Sequence, residues 1–448
     1  MASMSGFPEF LPEGRVVEAR AVDILRSVFE LHGFAGIATR ALEPLDELSR
    51  KGDITKEVYV VRRLHATESE PDALGLHFDL TVPFARYVRE HAGHLAFPFR
   101  RYQIQPAWRG ERPQEGRYRE FWQADIDIVG DGVLAGHHDA EVVAVMLAAC
   151  ARLRDELGLP PVLVRLNNRK LVQGFYGTLG VADPLAAIQI TDKLAKIGAD
   201  GVTAGLAAQG IAPEAIGRIL AFASVHTTGD LAAALEGAGI TVADGPMAEG
   251  LAEVTALHEA LRADFPGAVM IDCAIARGLD YYTGSVFEME LVGSESLGTI
   301  CAGGRYDSLA RDGNRTFPGV GISFGLTRVF APLITQGVLV ASRAVPSAVL
   351  VAVDTPETRG QAEAVARALR ARGVPTEVSP DAPKYGRQIR YADRRGIPYV
   401  WFGGLSGEVK DIRTGDQAAA DATTWLPPAA DLVPAIGPGP AGAPAARW

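Results

Sequence analysis

Two neighbouring segments of the chain alternate polar and apolar residues and carry groups that bind charged ligands. One runs from Arg101 to Arg109 and the other from Glu120 to Ile128. Residues two apart share one face of a strand. The second segment therefore places an aromatic ring, an amide and two carboxylates on one face: Phe121, Gln123, Asp125 and Asp127. Beside Arg109, this face could bind a cationic amine together with a phosphate. A solvated polar face above an apolar one is the alternative that the pattern leaves open.

Other segments add candidate groups. Asp79 and Thr81 follow a strand-like run, where a helix cap is the alternative. The run 277–284 holds a cation, a carboxylate and two phenols between glycines, which is dense for a plain turn. Glycine-rich runs at 302–307 and 319–325 lie near Arg305 and Arg328 and could bring backbone close to a nucleotide, although Gly-x-Gly is a weak signal.

Several function classes lose support because their motifs are missing from the sequence. There is no Walker lysine motif, no dinucleotide fingerprint and no nucleophile elbow. The three cysteines are widely separated, which disfavours a disulfide framework or a structural zinc. The adjacent His137 and His138 favour a polar surface over a metal site, so we predict no protein metal site.

Charge and composition indicate an acidic globular protein. The 448 residues carry 44 basic against 54 acidic side chains, a net charge of −10, which excludes a uniformly basic nucleic-acid coat. Basic residues nevertheless cluster in 100–119 and in 384–395, each with a local balance of +4 (six against two, and five against one). The sequence predicts no signal peptide and no membrane span, and we expect a cytoplasmic protein.

Five segments differ in pattern along the chain. Helical spacing of Val17, Ala21, Ile24, Val28 and Leu31 predicts a first helix that stops at Gly33, and 34–42 reads as a strand. Residues 169–255 are Ala/Gly/Leu-rich and predict a helical insertion. Residues 345–427 alternate as βαβαβ, which predicts a small separate α/β domain. Residues 428–448 are rich in proline, glycine and alanine and are expected to be disordered.

In this order, the motifs resemble those of class II aminoacyl-tRNA synthetases, specifically the histidyl-tRNA synthetase family. Residues 110–121 look like motif 2 of that family, and 319–328 look like motif 3. Residues 277–284 (Arg-Gly-Leu-Asp-Tyr-Tyr-Thr-Gly) and 302–307 look like its two histidine-specific motifs. The resemblance implies an α+β catalytic domain built on an antiparallel sheet over residues 1–168 and 256–335, with 345–427 similar to the anticodon-binding domain.

The resemblance also implies roles for individual residues. Asp79, Thr81 and Gln123 match positions that hold the histidine α-amino group, and Asp127, Tyr281 and Tyr282 match positions at its imidazole. ATP-binding positions are matched by Arg109 at the α-phosphate, Arg328 near the γ-phosphate, and Glu111 and Phe121 beside adenine. Arg277 matches the arginine that the family uses catalytically at the α-phosphate. The implied substrates are L-histidine, ATP with Mg²⁺, and tRNA-His, and the family implies a homodimer.

The predicted helix 384–395 carries Lys384, Arg387, Arg390 and Arg394 on one side, and we call these four residues the basic face. A solvated helix surface is the plain interpretation. In a domain that resembles an anticodon binder, contact with tRNA phosphates becomes the stronger one, because cations that displace counterions supply much of the affinity for nucleic acid.

The sequence departs from the family pattern at three places, and two other functions stay open. Gly6 to Glu9 replaces the usual opening, Arg40 stands where motif 1 usually has proline, and His77 stands where the family has arginine. One alternative is the histidine-sensing regulatory subunit of ATP phosphoribosyltransferase, a paralogue that typically lacks the C-terminal domain. The other is a duplicated enzyme that activates histidine for another acceptor.

Overall fold

The alternating segments form the centre of a nine-stranded sheet. The computed structural model describes residues 4–49, 57–65, 74–114, 116–275 and 282–439. These residues divide into two units, the first comprising 4–8 and 21–332 and the second 9–20 and 333–439.

The strands up to residue 325 are β1 (Ala35–Gly36), β2 (Leu42–Pro44), β3 (Val60–Val61), β4 (Leu74–Leu76), β5 (Phe99–Trp108), β6 (Glu120–Val129), β7 (Val162–Asn168), β8 (His226–Thr227), β9 (Val269–Asp272), β10 (Ser285–Leu291), β11 (Cys301–Asp312) and β12 (Arg315–Gly325). Nine of them form one sheet in the order β1-β5-β6-β12-β11-β10-β7-β9-β8, and β2-β4-β3 form a small second sheet. Within the large sheet, β1–β5 and β7–β9 pair in parallel and the other pairs are antiparallel. The predicted antiparallel class II fold is therefore confirmed.

The helices up to residue 335 are α1 (Pro12–Leu31), α2 (Leu45–Ser49), α3 (Thr81–His91), α4 (His137–Leu157), α5 (Arg169–Thr178), α6 (Pro184–Thr191), α7 (Leu194–Ala208), α8 (Pro213–Ala223), α9 (Leu231–Gly237), α10 (Pro246–Arg262) and α11 (Leu326–Thr335), with short 3₁₀ turns at Ala92–His94 and Glu295–Leu297. The predicted helical insertion consists of α5 to α9 and the first part of α10, joined by turns and loops, with β8 as a two-residue strand among them. Its predicted end at 255 falls inside α10, which continues to Arg262.

Two predictions near the N-terminus need correction. Leu31 was expected on the buried side of α1 but is 76% exposed, because the helix ends there and Gly33 turns the chain with a φ of +78°. The predicted strand 34–42 is two short strands in different sheets. Between them the side-chain amide of Gln105 bonds the backbone N–H and carbonyl of Thr39, at 3.0 and 3.1 Å, where a strand partner would otherwise bond.

The second unit contains a five-stranded sheet with helices on both faces. Its elements are β13 (Leu339–Ala341), β14 (Val349–Val351), α12 (Arg359–Ala371), β15 (Thr376–Val378), α13 (Tyr385–Arg394), β16 (Tyr399–Gly403), β17 (Ser406–Asp411), β18 (Gln417–Asp421) and β19 (Ile436–Pro438), with 3₁₀ turns at Pro356–Thr358 and Ala429–Asp431. The strand order is β15-β14-β16-β17-β18. Alternate residues of β14 enter two different cores, Val349 with Leu369 and Leu350 with Ala392. This alternation is why the βαβαβ pattern was readable in the sequence.

The predicted disordered tail is wrong for its first part. Residues 436–438 form β19, which pairs antiparallel with β13, and Tyr399 donates a hydrogen bond to Asp431 at 2.7 Å. Backbone pairing between short strands does not require a hydrophobic pattern, so composition gave no sign of it. Residues 440–448 lie outside the described part of the chain.

Helices α5 and α10 cross where two glycines let their backbones meet. A Cβ on Gly250 would lie 2.2 Å from the Leu171 nitrogen, and one on Gly174 would lie 2.6 Å from the Met247 nitrogen. We expect Gly250→Ala to lower the free energy of unfolding by about 1–3 kcal/mol, because the helices must separate. Urea denaturation measures the change.

Gly217→Ala is the matched control. Gly217 lies in α8, exposed, with no atom within 4 Å of an added Cβ. There the same substitution should stabilise the protein by about 0.5–1 kcal/mol, because alanine is the better helix former. Equal effects at the two positions would contradict the close crossing.

Candidate functional site

A cleft of about 890 Å³ opens above the middle of the large sheet in the first unit. Its lining includes nine of the residues that the sequence proposed: Asp79, Thr81, Arg109, Glu111, Phe121, Gln123, Asp127, Tyr282 and Arg328. Residues that are far apart in sequence therefore meet in one place. The proposed Arg277 and Tyr281 lie outside the described residues.

Alternation along β6 places one polar row in the cleft, as predicted. Phe121, Gln123, Asp125 and Asp127 line the cleft, whereas Ala124 and Ile126 are fully buried on the opposite side. The neighbouring strand β12 makes room for this row, because a Cβ on Gly321 would lie 2.0 Å from the Asp127 Oδ1. That glycine was expected to bring backbone close to a nucleotide, but its space is taken by a protein carboxylate.

Asp127 is held from two sides. The Arg101 Nη2 lies 2.7 Å from its Oδ2, and the Tyr306 hydroxyl donates to its Oδ1 at 2.7 Å. All three side chains are buried. Burial raises the pKa of Asp127 to about 6, against the opposing effects of the Arg101 charge and the Tyr306 hydrogen bond. The ion pair therefore keeps a carboxylate in a place that disfavours its charge.

Asp125 lies two residues along the same face, where the alternation predicted it, although the family resemblance gave it no role. It is 2% exposed, and burial raises its pKa to about 7, although Arg101 and a hydrogen bond from Ser323 both lower it. Within the described residues its Oδ1 has no hydrogen-bond partner. The alternation of β6 therefore identified Asp125 as a cleft residue, but it could not show that an oxygen of this side chain lacks a partner among those residues.

Arg109 contacts both the segment before α3 and a residue of β6 in the cleft. Its Nε donates to the carbonyl of Phe78 at 3.1 Å, and its guanidinium lies 5.1 Å from the ring centre of Phe121. Asp79 follows Phe78 and accepts from the Val82 backbone N–H at 3.1 Å at the start of α3. The Asp79 side chain therefore bonds the first turn of α3 and also lines the cleft, and Arg109 positions the segment that carries it.

The opposite end of the cleft contains further charged groups. The Arg328 Nε donates to the Gly116 carbonyl at 2.9 Å, and the Arg328 Nη1 donates to the Thr299 carbonyl. Glu111 lies 3.6 Å from Arg117, measured from Oε2 to Nη1. Both arginines line the cleft, so this end can accept an anion such as a phosphate.

The basic segment 100–119 contributes less charge to the cleft than its composition indicates. Arg100 pairs with Glu141, and Arg101 is buried under Asp127. Of the six arginines in this segment, Arg109 and Arg117 line the cleft. The local balance of +4 is therefore an overestimate of the free positive charge there, since a residue count ignores partners from other strands.

His77, one departure from the family pattern, is fully buried and does not line the cleft. Its Nδ1 lies 3.1 Å from the Arg40 carbonyl and its Nε2 lies 2.7 Å from the Pro106 carbonyl. Carbonyl oxygens only accept hydrogen bonds, so a ring nitrogen that carries a proton donates to the carbonyl that it faces. His77 thereby connects β5 to the segment before β2, and its effect on the site passes through backbone.

Arg40, a second departure, lies beside a buried carboxylate. Its Nη2 is 3.1 Å from the Oε2 of Glu43, which is fully buried. The same oxygen lies 2.8 Å from the Nε of Arg86, and Arg86 also pairs with Glu90. The residue at this position is therefore part of a charge network.

Three residues of the basic face lie on α13 in the second unit, and the fourth, Lys384, is the residue just before this helix. The four residues are exposed, while Gln388 and Ala392 are buried on the other side of the helix. Among the described residues none of the four has an ion pair or a side-chain hydrogen bond, whereas the adjacent Arg395 pairs with Glu377 at 3.2 Å. The basic face can therefore bind an external anion without breaking an internal contact.

One group of side chains has metal-ligand geometry. His137, His138 and Glu141 offer ligand atoms within 4.8 Å of one another. Glu141 is already engaged, since it accepts from Arg100 and lies 2.8 Å from the His138 Nδ1. In the described part of the chain, no helix is long and apolar enough to cross a membrane.

Comparison with known proteins identifies two matching families. Residues 6–329 match the family described as histidyl-tRNA synthetase, and residues 347–410 match an anticodon binding domain. The chain is 56% identical to the histidine–tRNA ligase of Cutibacterium acnes, over 97% of this chain and 98% of the relative. It is 51% identical to the enzyme of the same name from Micrococcus luteus, with the same coverage.

Solved structures agree with these matches. The histidyl-tRNA synthetase of Nostoc sp. has a TM-score of 0.79 at 32% identity, covering 94% of this chain and 97% of that one. A protein from Bacillus halodurans, titled as an ATP phosphoribosyltransferase regulatory subunit/histidyl-tRNA synthetase, has a TM-score of 0.68 at 23% identity and covers 87% of this chain and 96% of that one. At that identity the second likeness shows a shared fold only.

The Arg101–Asp127 pair predicts a pH-dependent contribution to stability. We expect Arg101→Met to lower the free energy of unfolding by about 3–5 kcal/mol at pH 8, because it leaves a buried carboxylate without its cation. At pH 5 the loss should be smaller. Asp127, with its pKa raised to about 6, is then mostly protonated and needs no cation. Urea denaturation at both pH values measures this difference.

Arg100→Met is the control from the adjacent position. Arg100 pairs with Glu141 where both side chains are partly exposed, so its loss should cost at most about 1 kcal/mol. If Arg101→Met cost the same at pH 5 and pH 8, the proposed ionisation of Asp127 would be wrong.

Proposed function

The chain belongs to the histidyl-tRNA synthetase family and is a histidine–tRNA ligase, and we propose how its side chains divide the work. The enzyme activates L-histidine with ATP and transfers it to tRNA. The two alternatives considered above, a regulatory subunit and an enzyme with another acceptor, are not favoured. Relatives with the ligase name match nearly the whole chain, including the anticodon-binding region.

The histidine end of the cleft is assigned to its carboxylates and hydroxyl groups. We propose that Asp79, Thr81 and Gln123 hold the α-ammonium group, and that Asp127 with Tyr282 and Tyr281 faces the imidazole. The geometry supports this division, because Asp127 lies deeper along β6 than Gln123 and is fixed by Arg101. A pocket that hydrogen-bonds both ends of a polar side chain rejects apolar isosteres strongly.

The ATP end is assigned to the arginines. Activation is an in-line attack of the histidine carboxylate on the α-phosphorus of ATP, which breaks the bond from that phosphorus to the bridging oxygen and releases pyrophosphate. Two anions must meet in this step. We propose that Arg109 and Arg277 offset this repulsion at the α-phosphate and stabilise the charge of the transition state. Arg328 would bind near the γ-phosphate, and Glu111 and Phe121 would lie beside adenine.

Mg²⁺ would arrive with ATP and neutralise its outer phosphates. The cleft contains a carboxylate of suitable chemistry in Glu288, whose Oε2 accepts from the Thr299 hydroxyl at 2.9 Å. The carbonyl of the same threonine accepts from Arg328. Oxygen donors fit a hard cation, and we propose Glu288 as the residue that would hold it.

For the second step we propose that the basic face, Lys384, Arg387, Arg390 and Arg394, contacts phosphates of tRNA-His. Its exposed ammonium and guanidinium groups, which have no ion pair or side-chain hydrogen bond among the described residues, support this assignment. On family membership we also propose a homodimer located in the cytoplasm.

The observation that carries the activation site is the meeting of the histidine-side carboxylates and the motif 2 and motif 3 arginines in one cleft. Histidine-dependent exchange of pyrophosphate into ATP tests it. We expect Arg109→Ala and Arg277→Ala each to lower kcat for exchange by about 10²–10³-fold, as for other groups that stabilise transition-state charge.

Arg112→Ala serves as the control, because Arg112 is exposed in the loop between β5 and β6, close in sequence to Arg109, and does not line the cleft. Its exchange rate should stay within about twofold of the unmodified enzyme, as is typical of surface substitutions. Absence of exchange in the unmodified enzyme would refute the activation function. Full exchange in both arginine variants would refute their assignment.

The basic face is tested by replacing Arg387, Arg390 and Arg394 together with glutamine. We expect KM for tRNA-His to rise by about tenfold or more, because phosphate contacts are lost. The salt dependence of KM should become weaker, because fewer counterions are released when the tRNA binds. Pyrophosphate exchange should not change. Arg367→Gln, an exposed charge on α12, is the control. Unchanged charging by the triple variant would exclude this face from tRNA binding.

A further inference from the structure

Two buried hydrogen-bond acceptors on the cleft floor lack donors. Within the described residues, neither the Asp125 Oδ1 nor the Gln123 Oε1 has a hydrogen-bond partner. Both side chains lie on the cleft face of β6, two residues apart. They share Ser323, whose hydroxyl accepts from the Gln123 Nε2 at 2.7 Å and forms a hydrogen bond with Asp125.

A buried acceptor without a donor costs free energy, so a neighbouring pair of such acceptors calls for a donor from a ligand. A primary ammonium group suits the pair, because it offers three N–H donors and no acceptor. A hydroxyl offers only one donor and leaves one of the two oxygens unpaired. These two acceptors therefore favour a ligand with an ammonium group over one with a hydroxyl group.

The neighbouring carboxylate, that of Asp127, can accept fewer additional hydrogen bonds. Asp127 already accepts from Tyr306 at one oxygen and faces Arg101 with the other, at 2.7 Å each. Asp125 has an oxygen free of such contacts, although it is as deeply buried. An incoming N–H donor near Gln123 therefore finds its open acceptor at Asp125.

We infer that the Asp125 Oδ1 accepts a hydrogen bond from the α-ammonium group of histidine, beside Gln123 and Asp79, and that Asp125 makes the site specific for an amino acid over the corresponding hydroxy acid. This inference rests on the proposed function of the cleft and adds a residue to it. Asp125 then acts by direct contact with substrate.

The charges around Asp125 give this contact a pH dependence. The groups that face it are Arg101 on β5, Asp127 on β6, Ser323 on β12, Cys301 on β11 and Asp79 before α3. Burial raises the pKa of Asp125 to about 7, so the empty site is partly protonated at neutral pH. The ammonium group favours the carboxylate, and KM for histidine should therefore fall as the pH rises from 6 to 8.

Asp125→Asn is the test, with pyrophosphate exchange and calorimetric titration as readouts. We expect KM for histidine to rise by about 10- to 100-fold, the range for a charge-assisted hydrogen bond, with KM for ATP unchanged. The fall in KM between pH 6 and 8 should flatten. Asp131→Asn is the matched control, because Asp131 pairs with Arg315 at the surface and does not line the cleft.

Two analogues show which atom of the ligand is bound. Histidinol keeps the ammonium and imidazole groups, and its dissociation constant should rise in Asp125→Asn as KM for histidine does. Imidazole lactate has a hydroxyl in place of the amine, and its weaker binding should change less than about threefold, since it has no charged donor to lose.

Folding is checked in the same samples. A carboxyl group with a raised pKa destabilises the native state as the pH rises through that value, so Asp125→Asn should be more resistant to urea than the unmodified enzyme at pH 8. An unchanged KM for histidine in a folded variant would overturn the inference. An equal loss for imidazole lactate and histidinol would do the same. Absence of exchange in the unmodified enzyme would refute the proposed function, while histidinol titration would still decide the role of Asp125.

Discussion

The buried guanidinium group of Arg101 is the constraint on which the floor of the cleft depends. Three carboxyl groups, those of Asp79, Asp125 and Asp127, interact electrostatically although each residue is at most 4% exposed. Arg101 is the cation that lowers the pKa of both strand aspartates, and it lies 4.2 Å from the ring centre of Phe84. Its single positive charge compensates only part of the negative charge of these three carboxyl groups. A substrate that brings an ammonium group supplies the missing cation.

Small residues make this arrangement possible. Asp127 lies over Gly321, Tyr306 approaches Gly319, and Tyr282 approaches Gly304, with hypothetical Cβ contacts of 2.0, 2.5 and 2.7 Å. A side chain at any of these positions would displace a group that lines the cleft. The glycine-rich motifs are thus explained by the close approach of protein side chains, and a nucleotide is not needed to account for them. The antiparallel register between β6 and β12, which sets Asp127 opposite Gly321, fixes which residue must be small.

The periodicity of the sequence predicted much of this structure, but the interaction partners of its charged residues could not be predicted. The alternation of β6 correctly separated its cleft face from its buried face, and the βαβαβ order of the second unit was readable because each strand has two apolar faces. Partners of charged residues come from other strands and have no local signature. Asp127 with Tyr306, and Asp139 with Arg305, join positions more than 160 residues apart. For the same reason, neither the burial of Arg101 nor the strand at 436–438 could be inferred from its own segment.

The two basic segments illustrate the consequence for function. Both have a local balance of +4, yet Arg100 and Arg101 are neutralised inside the first unit, whereas the members of the basic face are exposed on α13 or just before it. A buried arginine stabilises carboxylates and shapes a pocket, because its guanidinium group is paired with a fixed carboxylate inside the protein. An exposed arginine without a partner stays available to a mobile polyanion. The net charge of −10 is compatible with binding ATP and tRNA. The affinity for these anions depends on cationic side chains without internal partners at the binding surface, and not on the total charge of the protein.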